Sequence, residues 1–505
     1  MLILGKEQYI LRLIDSMQTT VDTLSKEVLI AINRDEVMLK EKAFSAYVFN
    51  ACLMGVDFVY INVIISALAA LKADNVHAKR YHWKNVVARI SEGIKYVYTF
   101  KGNEKKTLIG YLKAILNDSS IVTPEITDSL SGLQVLLDRL TANWDGKDMR
   151  DIALHYDKST EKLIKETVGI TDEEPYASLL SDYLQIMNIL HCICMYGFIQ
   201  SLINRDLCFN DILQNETSEH VGNGKHKNAI HALLKEDKFK IAIEENLEEY
   251  GRRFLDSCSV FEKLHKVYEV LGCEGELKLS NNHLGKLYKL HNIYSLVLYS
   301  MLDLLSITDS YLASKTELEA AFNMRYFLIV KTSVLTHIVG YTEEEASESL
   351  WSEIKGFIPE SDSQLHGMAA TMESHLMEIV MDPDIKRKRA KLVHLTFSKN
   401  KPGNVKEILS VLDTFDSLSE FYKVLDLIKL LVKVIKFLDS LIVSMDKEVT
   451  IENQKHIDKI RSMSSSLRDM IECNVKDKAQ KEVMLTSIND NEFKIIDLLN
   501  NRYKR

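Results

Sequence analysis

Residues that break helices are scarce in this chain. Its 505 residues include only 5 prolines and 19 glycines, the residue types that interrupt helices and build tight turns. That shortage argues against many short strands joined by turns and in favour of long helices. No alternation of apolar and polar residues is long enough to predict a sheet. Cysteine is also sparse: Cys52, Cys192, Cys194, Cys208, Cys258, Cys273 and Cys473 form an odd, scattered set. Such a set fits reduced thiols rather than a disulfide framework. A zinc site at Cys192-x-Cys194 would need a second ligand pair, and the sequence offers none. Because that pair lies in an apolar stretch, both residues read as core cysteines.

Positive charge is not in excess either. A net charge of −9 and a pI of 6.0 exclude a coat-like nucleic-acid binder but leave room for a small basic site. There is no Gly-rich phosphate loop, no Gly-x-Ser-x-Gly elbow, no His-Glu-x2-His and no paired Cys-x2-Cys set. No cofactor and no metal are therefore expected. Met1–Glu7 becomes charged too soon for a signal peptide, so the default expectation is a cytoplasmic protein without membrane contact. The longest apolar run, Ala51–Ala70, is interrupted by Asp57 and Asn62. It reads as a core helix, hydrophobic on most of its faces.

What the chain does have is 46% hydrophobic residues, spaced for helices. The spacing predicts helices over about 4–33, 36–72, 76–99, 104–116, 126–142, 147–168 and 174–205. A loop follows over 207–229, and then helices over about 230–271, 282–313, 315–338, 343–356, 362–380, 384–396, 404–445, 450–475 and 478–502.

The sequence also repeats internally. Tyr183 pairs with Tyr422, Phe198 with Phe437, and Ser201-Leu202-Ile203 with Ser440-Leu441-Ile442, all at an offset of 239. Arg150 and His155 pair with Arg389 and His394 at the same offset. Upstream, Arg80-Tyr81 pairs with Arg325-Tyr326 at 245. The expected organisation is an N-terminal helix (1–35), a first helical module (36–206) and a linker with a long connecting helix (207–281). A second module (282–445) and C-terminal helices (446–505) complete it.

Each module contains Arg-x4-His: Met149-Arg150-Asp151-Ile152-Ala153-Leu154-His155 and Lys388-Arg389-Ala390-Lys391-Leu392-Val393-His394. These residues resemble the HEPN superfamily, whose helical domains carry an Arg-polar-x3-His signature on a late helix. The first copy is a good match; in the second, Ala390 stands in place of the polar residue. The resemblance implies an all-α chain of two tandem HEPN-like bundles forming an internal pseudo-dimer. It also implies a metal-independent endoribonuclease, with roles in phage defence or toxin-like growth arrest.

The chemistry suits these side chains. Cleaving RNA without a metal needs a base for the 2′-hydroxyl, an acid for the leaving 5′-oxygen and positive charge on the phosphorane. Histidine transfers protons near neutral pH, and arginine holds phosphate oxygens while always charged. Asp151 and His155 share a helix face at i and i+4. Arg150 would sit roughly 140° around the helix from His155, so a complete site calls for two helices. The candidate catalytic residues are Arg150, Asp151, His155, Arg389 and His394. The basic run Lys386, Arg387, Lys388 and Lys391 is the candidate RNA contact. Arg80-Tyr81-His82-Trp83 and Arg325-Tyr326 read mainly as packing. RNA is the expected partner; a protein partner or inhibitor and a homo-oligomer are left open. The rival reading is a noncatalytic helical scaffold that binds a protein or a nucleotide.

Overall fold

The computed structural model describes residues 2–40, 44–98, 107–118, 124–143, 161, 164, 174–203, 224–235, 237–273, 283–340, 343–360, 362–380, 392 and 405–501. Among the described residues the chain is all-α, with no strand. The helices are α1 (Leu2–Lys40), α2 (Phe44–Lys72), α3 (Val76–Val97), α4 (Leu108–Asp118), α5 (Pro124–Asn143) and α6 (Glu174–Ile203). They continue with α7 (Lys225–Leu234), α8 (Asp237–Cys273), α9 (His283–Leu312), α10 (Glu317–Ile338), α11 (Glu343–Ser347) and α12 (Leu350–Lys355). The last are α13 (Ser363–Val380), α14 (Val405–Asp413), α15 (Ser417–Asn474) and α16 (Lys478–Asn501).

Local chemistry accounts for the helix starts. The Asn75 side chain accepts from the backbone N–H of His77 (2.9 Å) and Ala78 (3.2 Å), which caps α3. Thr316 caps α10 through the N–H of Glu319 at 3.1 Å, and Asp416 caps α15 through Ser419 at 2.7 Å. Each satisfies a donor that the first helical turn leaves free. The Asp416 cap splits the expected helix 404–445 into α14 and α15. Beyond it, α15 runs unbroken to Asn474, past the break expected near 446–449, because Met445-Asp446-Lys447-Glu448 contains no glycine or proline to stop it.

Two helices form the centre, and both are apolar nearly all round. α2 is packed by α1, α3 and α6; α9 is packed by α8, α10 and α15. The outer helices follow the same plan: α5 lies on α6 and α13 on α15, while α4 touches α3 and α12 touches α10. The two sets meet where α3 packs on α9. The helix expected merely to connect modules is two helices, α7 and α8. The longer of them packs on α9 as α1 packs on α2. Buried positions recur every third or fourth residue in both: 17, 21, 24, 28, 31 in α1 and 243, 247, 250, 254, 257 in α8.

By length and composition α2, α6 and α9 could each cross a membrane. In this fold their most apolar windows are 100%, 50% and 94% buried against other helices. Cys194 is buried as expected, but Cys192 is exposed. Two residues along a helix turn a side chain by about 200°, and that rotation carries Cys192 out of the core when Cys194 faces it.

Burial sets the register between the two sets. From 124–139 in α5 to 363–378 in α13, every position keeps its burial class at an offset of 239. Between α2 and α9, α3 and α10, and α6 and α15 the offset is 241. It superimposes the N-caps Asn75 and Thr316, the whole of α3 on α10, and the buried faces of α6 and α15. The expected pairing of Tyr183 with Tyr422 is therefore corrected. Tyr183 is fully buried and Tyr422 is 53% exposed; the buried counterpart of Tyr183 is Val424. Likewise Arg325 matches Lys84 rather than Arg80.

Candidate functional site at the seam

The sequence-predicted site residues Arg150, Asp151, His155, Arg389 and His394 lie outside the described residues, as do Lys386, Arg387, Lys388 and Lys391. Leu392, inside the second motif, is described, and it is buried. Its carbonyl accepts a hydrogen bond from Arg325 Nε at 2.6 Å. That bond ties Leu392 to the seam between the two helical sets.

At the seam, polar side chains cross from one set to the other in two equivalent places. In the first, Lys84 of α3 is fully buried and bonds both carboxylate oxygens of Asp303 of α9, at 2.9 and 3.0 Å. It also donates to the Tyr299 hydroxyl and stands over the rings of Tyr299 and Tyr81. In the second, Arg325 of α10 donates to Asn62 Oδ1 of α2 at 3.0 Å and stands 4.9 Å from the centre of the Phe58 ring. All four pairs, Lys84/Arg325, Asp303/Asn62, Tyr299/Phe58 and Tyr81/Phe322, obey the offset of 241.

The second place differs in its charge. Asn62 is neutral, and a second arginine joins it: Arg89 Nη1 donates to the Asn62 backbone carbonyl at 2.8 Å. The Arg89 guanidinium lies 3.3 Å from the centre of the Tyr326 ring, and the Tyr326 hydroxyl donates to Asn62 Oδ1 at 3.0 Å. Burial holds both guanidiniums below the usual arginine range; nearby tyrosines oppose that shift at both, Glu92 also opposes it at Arg325, and the Arg325 charge lowers Arg89 further. Arginine keeps its charge even so. Lys84 is also lowered by burial, with Asp303 pulling it back. The seam thus holds two buried guanidiniums, and one of them, Arg325, is bonded to the backbone of Leu392.

Sequence reasoning missed Arg89 altogether and took Asn62 only as an interruption of an apolar run. The signal was there: a polar residue in the middle of a helix buried on all faces needs a partner. Arg325 and Tyr326 were read mainly as packing, and they do pack, but they also carry the tether to Leu392. No protein-family model, curated protein or solved structure gives a significant match to this chain.

Proposed function

We propose that the chain is a duplicated, HEPN-like, metal-independent endoribonuclease whose two Arg-x4-His motifs serve one internal pseudo-dimer. The observation that carries this reading is the register of α5 and α13. These helices precede the two motifs, and their burial patterns coincide at the same offset of 239 that pairs Arg150 with Arg389 and His155 with His394. The bond from Arg325 to the carbonyl of Leu392 supports it, since Leu392 stands between Arg389 and His394 in the sequence. In this proposal His155 and His394 move the protons, while Arg150, Arg389 and the basic run hold the phosphate. RNA is the substrate, and the products are a 2′,3′-cyclic phosphate and a 5′-hydroxyl.

The test is cleavage of a mixed RNA pool in EDTA by wild type, His155→Ala and His394→Ala. Cleavage by wild type that disappears in His155→Ala supports the proposal, and the second variant reports whether both motifs share a site. Absence of cleavage by folded wild type across several RNA types moves the reading to a noncatalytic scaffold. One observation favours that second reading. α16 packs mainly on the far end of α15, and this hairpin exposes Met463, Met470, Val483 and Phe493, each more than half accessible, as a docking surface would.

A further inference from the structure

Three helices of the first set bring one imidazole and two carboxylates together away from the seam. His191 of α6 places Nδ1 2.7 Å from Asp57 Oδ1 of α2 and Nε2 3.7 Å from Glu27 Oε2 of α1. One donor atom from each residue fits within 4.8 Å of the others. Asp57 is fully buried, and its Oδ2 has no hydrogen-bond partner. Glu27 Oε2 is also buried without one. Unmade bonds to buried carboxylate oxygens are costly, and one imidazolium cannot balance two carboxylates.

The fold does not need charge at this place. At the offset of 241, Asp57 corresponds to buried Leu298, and His191 to Val432. The second set makes the corresponding contact between α9 and α15 with apolar residues. The cluster is also reachable, since the His191 and Glu27 side chains are 18% and 30% exposed.

We infer that Glu27, Asp57 and His191 form a binding site for a divalent transition-metal ion. One imidazole with two carboxylates is a donor set for zinc or manganese. The ion takes the place of the proton now shared between imidazole and carboxylate, and water fills the remaining positions. Ligand atoms about 2.1 Å from an ion stand roughly 3–3.4 Å apart, so donors now within 4.8 Å of one another must close by up to about 1.4 Å, a distance that side-chain rotation covers. The sequence hid it because its members stand at positions 27, 57 and 191, with none of the local spacing that marks a motif.

The inference is independent of the ribonuclease reading. Its test uses the full chain, stripped with EDTA, dialysed and titrated calorimetrically with Zn²⁺ and separately with Mn²⁺ under reducing conditions. One equivalent of one of these ions should bind and raise the melting temperature. Glu27→Gln, at the exposed edge, should weaken binding at least tenfold, and His191→Gln should abolish it. Cys192→Ser should leave it unchanged, which separates the site from the neighbouring exposed thiol. Glu27→Gln should also leave RNA cleavage in EDTA unchanged. Failure of folded wild type to bind either ion overturns the inference, and so does equal binding by folded Glu27→Gln and His191→Gln proteins.

Discussion

The two helical sets share their apolar register but not their buried charges. Where the first set places Asn62, the second places Asp303; where the first has Ile90 and Leu179, the second has Lys331 and Glu420, an ion pair at 2.5 Å that is about 95% buried. Where the second has Leu298 and Val432, the first has Asp57 and His191. Apolar contacts are non-directional and tolerate exchange when volume is kept. A buried charge must find its partner by geometry, and removing one member alone is costly. The shared plan is therefore carried by oily positions, and the individuality of each set by a few ions.

That contrast can be broken most forcefully at Lys84. Lys84→Met leaves Asp303 buried and unpaired, and should cost ~3–5 kcal/mol in urea unfolding. Adding Asp303→Leu should return most of that loss; two additive losses would show that the pair matters through packing instead. Lys331→Ile with Glu420→Leu, which copies the first set, should be neutral or stabilising, although either change alone costs ~3 kcal/mol.

The second way is acid. Burial lowers His82 to about 3 and both His226 and His291 to about 4. The unfolded chain takes up these protons near pH 6.5 and the folded chain resists them. Their contribution is therefore complete above pH 6.5 and is lost as the pH falls towards 3–4, at up to about 1.4 kcal/mol per pH unit for each histidine. His82 bonds Ser310 at 3.0 Å, and its counterpart is Asn323. His82→Asn should flatten the pH dependence measured by unfolding between pH 4 and 6.5; an unchanged slope would remove His82 from this role. Glu420 adds a smaller loss at lower pH. Lys331 and Lys423 hold its carboxyl below the usual value against the opposing effect of burial, so its contribution is present above about pH 4.5 and disappears as the pH falls through its folded value.

Smaller effects should sharpen the seam itself. Arg325→Lys keeps the charge but loses the planar fork that reaches both Leu392 and Asn62. A cost of ~1–2 kcal/mol is expected, with a larger proportional drop in RNA cleavage than in stability. Asn62→Asp gives the two arginines the carboxylate that Lys84 already has. It should shift stability by less than about 1 kcal/mol but lower RNA affinity at low salt, because the arginine charge is then neutralised locally. Unchanged affinity would separate the guanidiniums from nucleic-acid binding.

Much of the architecture was legible in the chain. The helix start after Asn75 follows from a side chain that caps, whereas the cap at Asp416 lay hidden inside a helix expected to run over 404–445. The burial of α2 follows from a run too apolar to leave exposed, and the match of α5 to α13 agrees with the motif offset. The pairing of α6 with α15 was misread because Tyr, Phe and Ser recur in both helices at a spacing two residues away from the true one. Letters can match where faces do not. The role of α8 was hidden as well, since an amphipathic helix does not state which surface it covers.

Scarcity of proline and glycine, periodic apolar residues and capping side chains were enough to determine a chain of long helices, because these act within a few residues of one another. Only the tertiary structure decided which helices share a face. It alone brought Asn62, Arg89 and Arg325 together at the seam, and Glu27, Asp57 and His191 together away from it. Those groups lie tens to hundreds of residues apart, and the directional bonds and ion pairs between them exist only once the apolar faces have closed.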